Sequence, residues 1–457
     1  MTLSIIEKLN LGGTLVKVGV VLPVYHQERE YIFECIQSME RQTFRDYKLV
    51  IVLDGPNDET VTAIKEASKL LTIPYEIVDR KVNLGISPTL NEGFELVKDC
   101  PYLTWISSDN RHDPNFLERL VDTMDQASKE TVLVYSFYRR IDQHGTPITY
   151  TKAWYEYVEH FMTRKREEIF QNCFIGASFM FTSEAFAKAG GYRVDFPNVQ
   201  DHDFWIRLLQ HGDFVLLREY IMEYRFNGRF ALTTNIPPEQ LTMESMASSI
   251  DIQKSIGKLP KVSVVLYSHN HVKTIDLALN SILQQTLSDF QIVIVDDGST
   301  DFTPDSIHRT HDFRMIPLLL NHRGKAESIE IALDYCIGEY VLFMTGEDWL
   351  DPQALEQMVL KMESLPSETD LLVTNHKIWY DRRGRLTSGP IIRGTRYVKS
   401  SLNETIQPYA VLYRLRSLHK SLSGVSNNQV ETHFYSQHIK PRNTHWMNMA
   451  LYHKRMK

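Results

Sequence analysis

Three short stretches combine acidic, aromatic and small residues in a way that suits phosphate chemistry: Pro23-Val24-Tyr25-His26-Gln27-Glu28, Asp54-Gly55 and Ser107-Ser108-Asp109-Asn110. Each follows a run of residues that reads as a β-strand. A carboxylate at a strand end can accept a hydrogen bond from a base N–H. A second carboxylate can hold a hard divalent cation, which in turn neutralises a diphosphate. A dinucleotide site would need a glycine-rich turn after the first strand. Here an aromatic residue and carboxylates stand in that place. The chemistry suggested is a nucleoside diphosphate held through metal rather than through backbone amides.

The segments around these residues must form a parallel sheet. Val18 to Leu22 is a continuous apolar run, typical of a strand buried on both faces. Ile32, Ile36 and Met39 fall on one face of a helix. Leu49 to Leu53 reads as a strand, and Asn57-Asp58-Glu59 as the cap and acidic first turn of a helix through about Leu71. Tyr75 to Val78 and Tyr102 to Ile106 are further strands, with a helix over Ile86 to Val97 between them. Pro114 opens another helix as a first-turn proline. This alternation predicts an α/β fold with a mostly parallel central sheet, ligands lying beyond the carboxyl ends of the strands.

The order then repeats. Lys17 to Leu22 matches Lys261 to Leu266, Gln42-Thr43-Phe44 matches Gln285-Thr286-Leu287, and Leu49 to Gly55 matches Ile292 to Gly298. Tyr102 to Asn110 matches Tyr340 to Asp348, and Pro114 matches Pro352. The 457 residues alone suggest about three domains at ~150 residues each; the repeat reduces that to two copies of one. The expected organisation is a lead over 1–15, a first domain over 16–235, a linker over 236–260 and a degenerate second domain over 261–457.

Composition sets the class. Fifty Lys+Arg against 57 Asp+Glu give a net charge of −7, with 43% hydrophobic and 23% charged residues, as in an ordered soluble protein. A slightly acidic chain lacks the basic stripe that nucleic acid demands. No stretch approaches the ~20 apolar residues of a transmembrane helix, and the N-terminus lacks the features of a secretory signal. Cys35, Cys100, Cys173 and Cys336 form no metal spacing and read as reduced buried thiols of a cytoplasmic protein.

Taken in order, these motifs resemble the inverting family 2 glycosyltransferases of the GT-A fold. The resemblance rests on Pro23, Tyr25 and Glu28, then Gln42-Thr43, Asp54-Gly55, Asn83-Leu84-Gly85, Asn91-Glu92-Gly93 and Ser107-Ser108-Asp109-Asn110 with Pro114. It continues through Gly176 to Phe181, Gly190-Gly191-Tyr192, Gln200 to Arg207 and Tyr224-Arg225. It implies two tandem GT-A domains and transfer of a sugar, with inversion, from a nucleotide-diphosphate donor to a hydroxyl acceptor. The acceptor would be a glycan, a lipid-linked group or a protein, in polysaccharide or glycoconjugate biosynthesis. Peripheral membrane association is compatible with this. Asp54 would contact the nucleobase with Tyr25 stacking near it. Pro23 and Glu28 would line the nucleotide pocket, Asp109 would bind Mn²⁺ or Mg²⁺, and Asp201 would be the general base.

The first copy departs from the family's pattern at His26, Ser107, Gln200 and Asn227; Ser107 leaves Asp109 as the one strong carboxylate for the metal. The second copy keeps Asp296 to Asp301, and its Tyr267 and Asn270 match the opening. Its metal position reads Thr345-Gly346-Glu347-Asp348, with Glu347 aligned to Asp109. Tyr409 to Asn427 echoes Gly176 to Gly191. Thr444-His445-Trp446 is expected in place of Gln200-Asp201-His202, which makes the copy a nucleotide-binding or structural one without transferase activity.

Other roles are expected to be plain. Asp203 reads as a solvated acid at a helix start, Trp205 and Arg207 as packing residues, and Arg164-Lys165-Arg166 as a solvated helix face. Trp154, Tyr155 and Tyr157 suit either an acceptor-sugar platform or helix packing, and His269-Asn270-His271 shows no metal spacing. The rival readings are a scaffolding pseudoenzyme within a glycan assembly complex and, more remotely, a phosphatase-like aspartyl loop at Val295 to Thr300.

Overall fold

The computed structural model describes residues 16–170, 172–226, 236–257, 259–310, 312, 314–382, 384–393, 410–418, 430 and 443–456, with strand 4–8 given by its backbone. The chain divides into two compact units, Met1–Ser248 and Ser249–Lys457.

The first unit runs β1 (Ser4–Lys8), β2 (Val18–Val24), α1 (Arg29–Glu40), β3 (Tyr47–Asp54), α2 (Asp58–Ala67), β4 (Tyr75–Arg80), α3 (Ile86–Glu95), β5 (Tyr102–Trp105) and β6 (Arg111–His112). It continues with α4 (Phe116–Gln126), β7 (Thr131–Ile141), α5 (Lys152–Met162), β8 (Phe179–Thr182), α6 (Ser183–Ala189), α7 (Gln200–Leu208), β9 (Asp213–Arg225) and α8 (Pro238–Ser255). The sheet order is β1-β4-β3-β2-β5-β8-β7-β9-β6. Strands β4, β3, β2 and β5 are parallel, while β8 runs antiparallel to both its neighbours. The chain steps outward from β2 to β4 and then crosses back to β5. The order therefore reverses between β2 and β5, where an open sheet leaves a crevice at the carboxyl ends of its strands.

Local chemistry explains the elements. Ile32, Cys35, Ile36 and Met39 of α1 pack their buried face against Val18, Val20 and Leu22 of β2 and Leu49 and Ile51 of β3. Asn57 caps α2 by accepting from the Thr60 amide at 2.9 Å, a bond worth about 1 kcal/mol. Pro114 lies outside its helix: α4 begins at Phe116, and the Pro114 carbonyl accepts from the Thr43 amide at 2.7 Å. The Gln-Thr motif proves architectural in both units. Buried Gln42 donates to Ser38 O and Asp113 O and accepts from the Leu117 amide. Gln285 does the same with Ser281 O, Asp351 O and the Leu355 amide.

The second unit repeats the plan with β10 (Val262–Ser268), α9 (Ile275–Leu283), β11 (Phe290–Asp297), α10 (Thr303–Arg309), β12 (Met315–Leu320), α11 (Lys325–Asp334) and β13 (Tyr340–Thr345). Then come β14 (Trp349–Leu350), α12 (Ala354–Glu363), β15 (Leu371–Arg382), β16 (Arg385–Ile392), β17 (Val411–Arg414) and β18 (Thr444–Met456). Its order is β12-β11-β10-β13-β17-β15-β18-β14, with β16 paired to β15. The segment read as the linker carries α8. Within the first unit, α8 bonds Glu244 to Asn198, Ser245 to His202 and Ser248 to Asp203.

Candidate active site

Asp54 ends β3 and is 4% exposed. Its carboxylate accepts from the Leu84 and Gly85 amides, both at 2.9 Å, and from Arg80 Nη1 at 3.2 Å. It thereby fixes the loop that opens α3. Gly55 has φ +64°, and a Cβ there would meet Asn83 N at 2.4 Å, so only glycine permits this approach. Tyr25 follows β2, is exposed, and lies against His26 with ring centroids 3.8 Å apart. His26 Nδ1 accepts from the Asn57 amide, which joins this loop to the start of α2. Pro23 pairs with Val52 inside the sheet. Glu28 caps the start of α1, and its Oε2 is buried with no hydrogen-bond partner among the described residues.

Asp109 sits across the crevice, after β5. Ser107 Oγ donates to its Oδ1 at 2.5 Å, and Gln27 Nε2 donates to Ser108 Oγ at 3.0 Å, tying the β2 and β5 loops together. Burial raises the Asp109 carboxyl above its ordinary value, with the Ser107 bond and Arg225 opposing. Arg225 was legible only as part of a motif, yet it organises the loop. It is 1% exposed; its amide donates to Asn110 Oδ1, Nε to Asp109 O, Nη1 to Asp142 O and Gln143 O, and Nη2 to Glu34. Tyr31 stacks on its guanidinium at 4.0 Å and donates to Gln143 O. Asn227 lies outside the described residues.

Asp201 occupies the first turn of α7. Burial pushes its carboxyl up to about 7, and Oδ1 has no partner among the described residues, nor has Gln200 Oε1. Its charge raises the Tyr192 phenol and the Cys173 thiol further, both already raised mainly by burial. The Tyr192 hydroxyl accepts from Trp105 Nε1 at the end of β5. Tyr25, Glu28, Asp54 and Asp109 sit on loops linked by hydrogen bonds, and Asp201 lies on α7 in the second half of the unit.

Several expectations change. Asp203 is not solvated: it is fully buried and bonded to Arg193, Arg207 and Ser248. Two residues along a helix turn a side chain to the far side, so one of two neighbouring aspartates faces the core. In the run Arg164-Lys165-Arg166 the last two residues are exposed as expected, Arg166 pairing with Asp213, whereas the Arg164 side chain is only 6% exposed and pairs with Glu168. Trp205 is buried, and Arg207 braces Asp203. Cys35, Cys100 and Cys336 are buried, whereas residue Cys173 is exposed. Helix α5 buries only Met162 and leaves Tyr155 and Tyr157 exposed, with Trp154 stacked on Tyr150 at 3.8 Å.

In the second unit Asp297 repeats the role of Asp54. It accepts from the Arg323 and Gly324 amides and from Ser328 Oγ, and Gly298 at φ +66° packs on His322 N. A nucleophilic aspartyl loop is disfavoured by these bonds, and Asp296 is itself held by Ser299. Pairing corrects the register of the opening: Tyr267 opposes Val295 as Pro23 opposes Val52, so His269, not Tyr267, stands in the place of Tyr25. The metal position also differs. Asp348, next to Glu347, is fully buried and bonded to Thr345, Tyr452 and Lys454. His445 is not on a counterpart of α7: it lies on β18, which pairs with β15 as β9 pairs with β7. Most of the echo at Tyr409 to Asn427 lies outside the described residues.

The sequence profile of glycosyl transferase family 2 matches residues 19–190 and 263–420. The chain belongs to glycosyl transferase family 2, and its two units each carry a GT-A-like α/β sheet. It is 24% identical over 398 residues to an uncharacterized glycosyltransferase of Rickettsia conorii, covering 78% of this chain and 65% of that one. It is 21% identical over 416 residues to chondroitin synthase of Escherichia coli, covering 81% and 60%. The chain thus spans less than two thirds of the length of these relatives. Among solved structures it is similar to S. aureus TarS 1–349 in complex with UDP-GlcNAc (13% identity, 51% and 66% covered, TM-score 0.40). It is similar also to a Pyrobaculum calidifontis mannosyltransferase in complex with GDP-Man and Mn²⁺ (13% identity, 54% and 65% covered, TM-score 0.40). No helix among the described residues is long and apolar enough to cross a membrane.

Proposed function

We propose that the first unit transfers a sugar from a nucleotide-diphosphate donor to an acceptor hydroxyl with inversion at the anomeric carbon. The observation that carries this reading is Asp201: a carboxylate with an unpaired oxygen, raised by burial to about 7, suited to take a proton near neutral pH. Tyr25 and the loop fixed by Asp54 would hold the nucleobase, with Pro23 beneath and Glu28 beside it. Asp109 fits a divalent cation. Its buried carboxyl lacks a directly bonded cationic side chain among the described residues, and a Mg²⁺ or Mn²⁺ ion needs only one or two protein carboxylates beside its phosphates. Ser107 orients Asp109, and Arg225 holds its loop. When bound, the metal would neutralise the departing nucleoside diphosphate. Asp201 would accept the proton of the attacking hydroxyl, and the buried Tyr192, whose phenol its charge influences, would keep water from its carboxylate.

The exposed Tyr155 and Tyr157 of α5, with the half-buried Trp154, suit the faces of a glycan acceptor, and the relationship to a chondroitin synthase favours polysaccharide synthesis over other pathways. The second unit would be a structural or nucleotide-binding copy, since Asp348 beside its metal position is taken up by internal bonds and His445, expected in the place of the base, lies on β18. The test is incubation with a panel of nucleotide sugars, Mn²⁺ and oligosaccharide acceptors, with the anomeric configuration of the product read by NMR. Inverted product supports the reading; retained configuration refutes it. Nucleotide binding without turnover across the whole panel would favour the scaffolding pseudoenzyme, a reading that the Ser107–Asp109 bond also suits.

A further inference from the structure

We propose that the second unit binds one transition-metal dication of the Zn²⁺ class between His269, His322 and Asp297. The ligand atoms of these three side chains lie within 4.8 Å of one another. His269 Nδ1 is 2.7 Å from the Asp297 carbonyl oxygen. His322 Nδ1 is 3.1 Å from that same oxygen and 3.1 Å from Asp297 Oδ2. Two imidazole nitrogens therefore converge on the Asp297 backbone carbonyl oxygen, and one of them also lies beside its carboxylate. Donors around a four-coordinate zinc stand roughly 3.3 Å apart when each is ~2.0–2.1 Å from the ion, so a small outward shift of both rings would seat it.

Charge gives a second, independent reason. Asp54 and Asp297 occupy the same place in their units, but their cross-strand neighbours differ: Asp54 faces Arg80, whereas Asp297 faces Leu320. The guanidinium that neutralises the buried carboxylate of the first unit is replaced by an alkyl side chain. Two histidines appear at the same time. His269 stands in the place of Tyr25, and His322, two residues before the N-cap Gly324 of α11, stands in the place of Asn83 before Gly85. Asp297 is fully buried; its Oδ1 accepts from the Arg323 amide and Ser328 Oγ, and its Oδ2 accepts from the Gly324 amide and the Tyr267 hydroxyl and lies 3.1 Å from His322 Nδ1. Asn270 Nδ2 donates to His269 Nε2 at 3.1 Å and holds that ring with Nδ1 toward Asp297. The His322 side chain is 62% exposed, which leaves an entry path.

Two imidazoles with one carboxylate select Zn²⁺, Co²⁺ or Ni²⁺ over Mg²⁺. The site is separate from the cation position at Asp109. It would fill the place where the first unit is proposed to take the nucleobase. The metal would then pin the ends of β10 and β11 to the start of α11, and the copy would be a structural one.

The test uses the full chain, stripped with a chelator and titrated with Co²⁺. The expected result is one equivalent with visible absorption of a nitrogen-coordinated ion, displaced by Zn²⁺, and a Tm raised by Zn²⁺. The double variant His269→Ala/His322→Ala, checked for folding by circular dichroism, should weaken binding at least 100-fold and lose the Zn²⁺ shift in Tm. Asp109→Ala should keep the Co²⁺ absorption, so failure of the first-unit reading and failure of this one are told apart. Absence of stoichiometric Co²⁺ binding, or absorption that persists in the folded double variant, would overturn the proposal.

Discussion

Replacing Asp201 by Asn should lower activity and raise stability at once. The side chain is buried enough to hold its carboxyl at about 7 in the folded chain, against an ordinary 3.8. That difference corresponds to roughly 4 kcal/mol of penalty on the ionised form. The residue is only partly covered, so about 2–4 kcal/mol is the range to expect. The sign follows from proton binding. The folded state holds this proton more tightly than the unfolded state, so stability declines as pH rises from about 4 to about 7, and the full penalty applies above that. Asn carries no charge and escapes it. At pH 8 the variant should melt roughly 5–10 °C higher than wild type, with the advantage falling to about a third at pH 5. Loss of the general base should at the same time reduce kcat about 10²- to 10⁴-fold. Wild-type kcat/KM should rise with pH and level off above about 7. Calorimetry at both pH values and nucleoside-diphosphate release report the two effects. Undiminished turnover in the variant, or equal melting at pH 8, would refute the assignment.

Other substitutions probe the frame. Asp54→Ala removes the acceptor for two amides and one guanidinium, and should cost about 3 kcal/mol in urea unfolding of the first unit. Gly298→Ala places a Cβ 2.4 Å from His322 N at positive φ, and should destabilise the second unit by about 2 kcal/mol or more. Arg225→Lys loses the fork that holds Asp109 O, Asp142 O, Gln143 O and Glu34. It should weaken Mn²⁺-dependent donor binding about 10- to 100-fold, read by calorimetric titration.

The parallel half of each sheet was legible because its strands are continuous apolar runs and its helices carry one apolar face; β2, β3, β4, β5 and α1 fall close to their expected spans. Asp54 and Asp109 were singled out from ordered motifs, and the structure puts them at the carboxyl ends of β3 and β5, the two strands that flank β2. Local spacing could not separate Asp201 from Asp203, because which aspartate faces the core depends on Arg193 and Ser248, distant in sequence. His445 was misplaced because a short polar motif carries no strand register, while the pairing of β18 with β15 does. The convergence of His269 and His322 on Asp297 joins three loops and has no local signature; the one available sign was histidine in the tyrosine's place.

The most direct measurement is calorimetric titration of nucleoside diphosphates with Mn²⁺ into wild type, Asp109→Ala and Glu347→Ala. A single site lost in Asp109→Ala and intact in Glu347→Ala is the predicted result. Binding that survives Asp109→Ala but disappears in Glu347→Ala, or no binding of any nucleoside diphosphate to wild type, would contradict a donor site in the first unit.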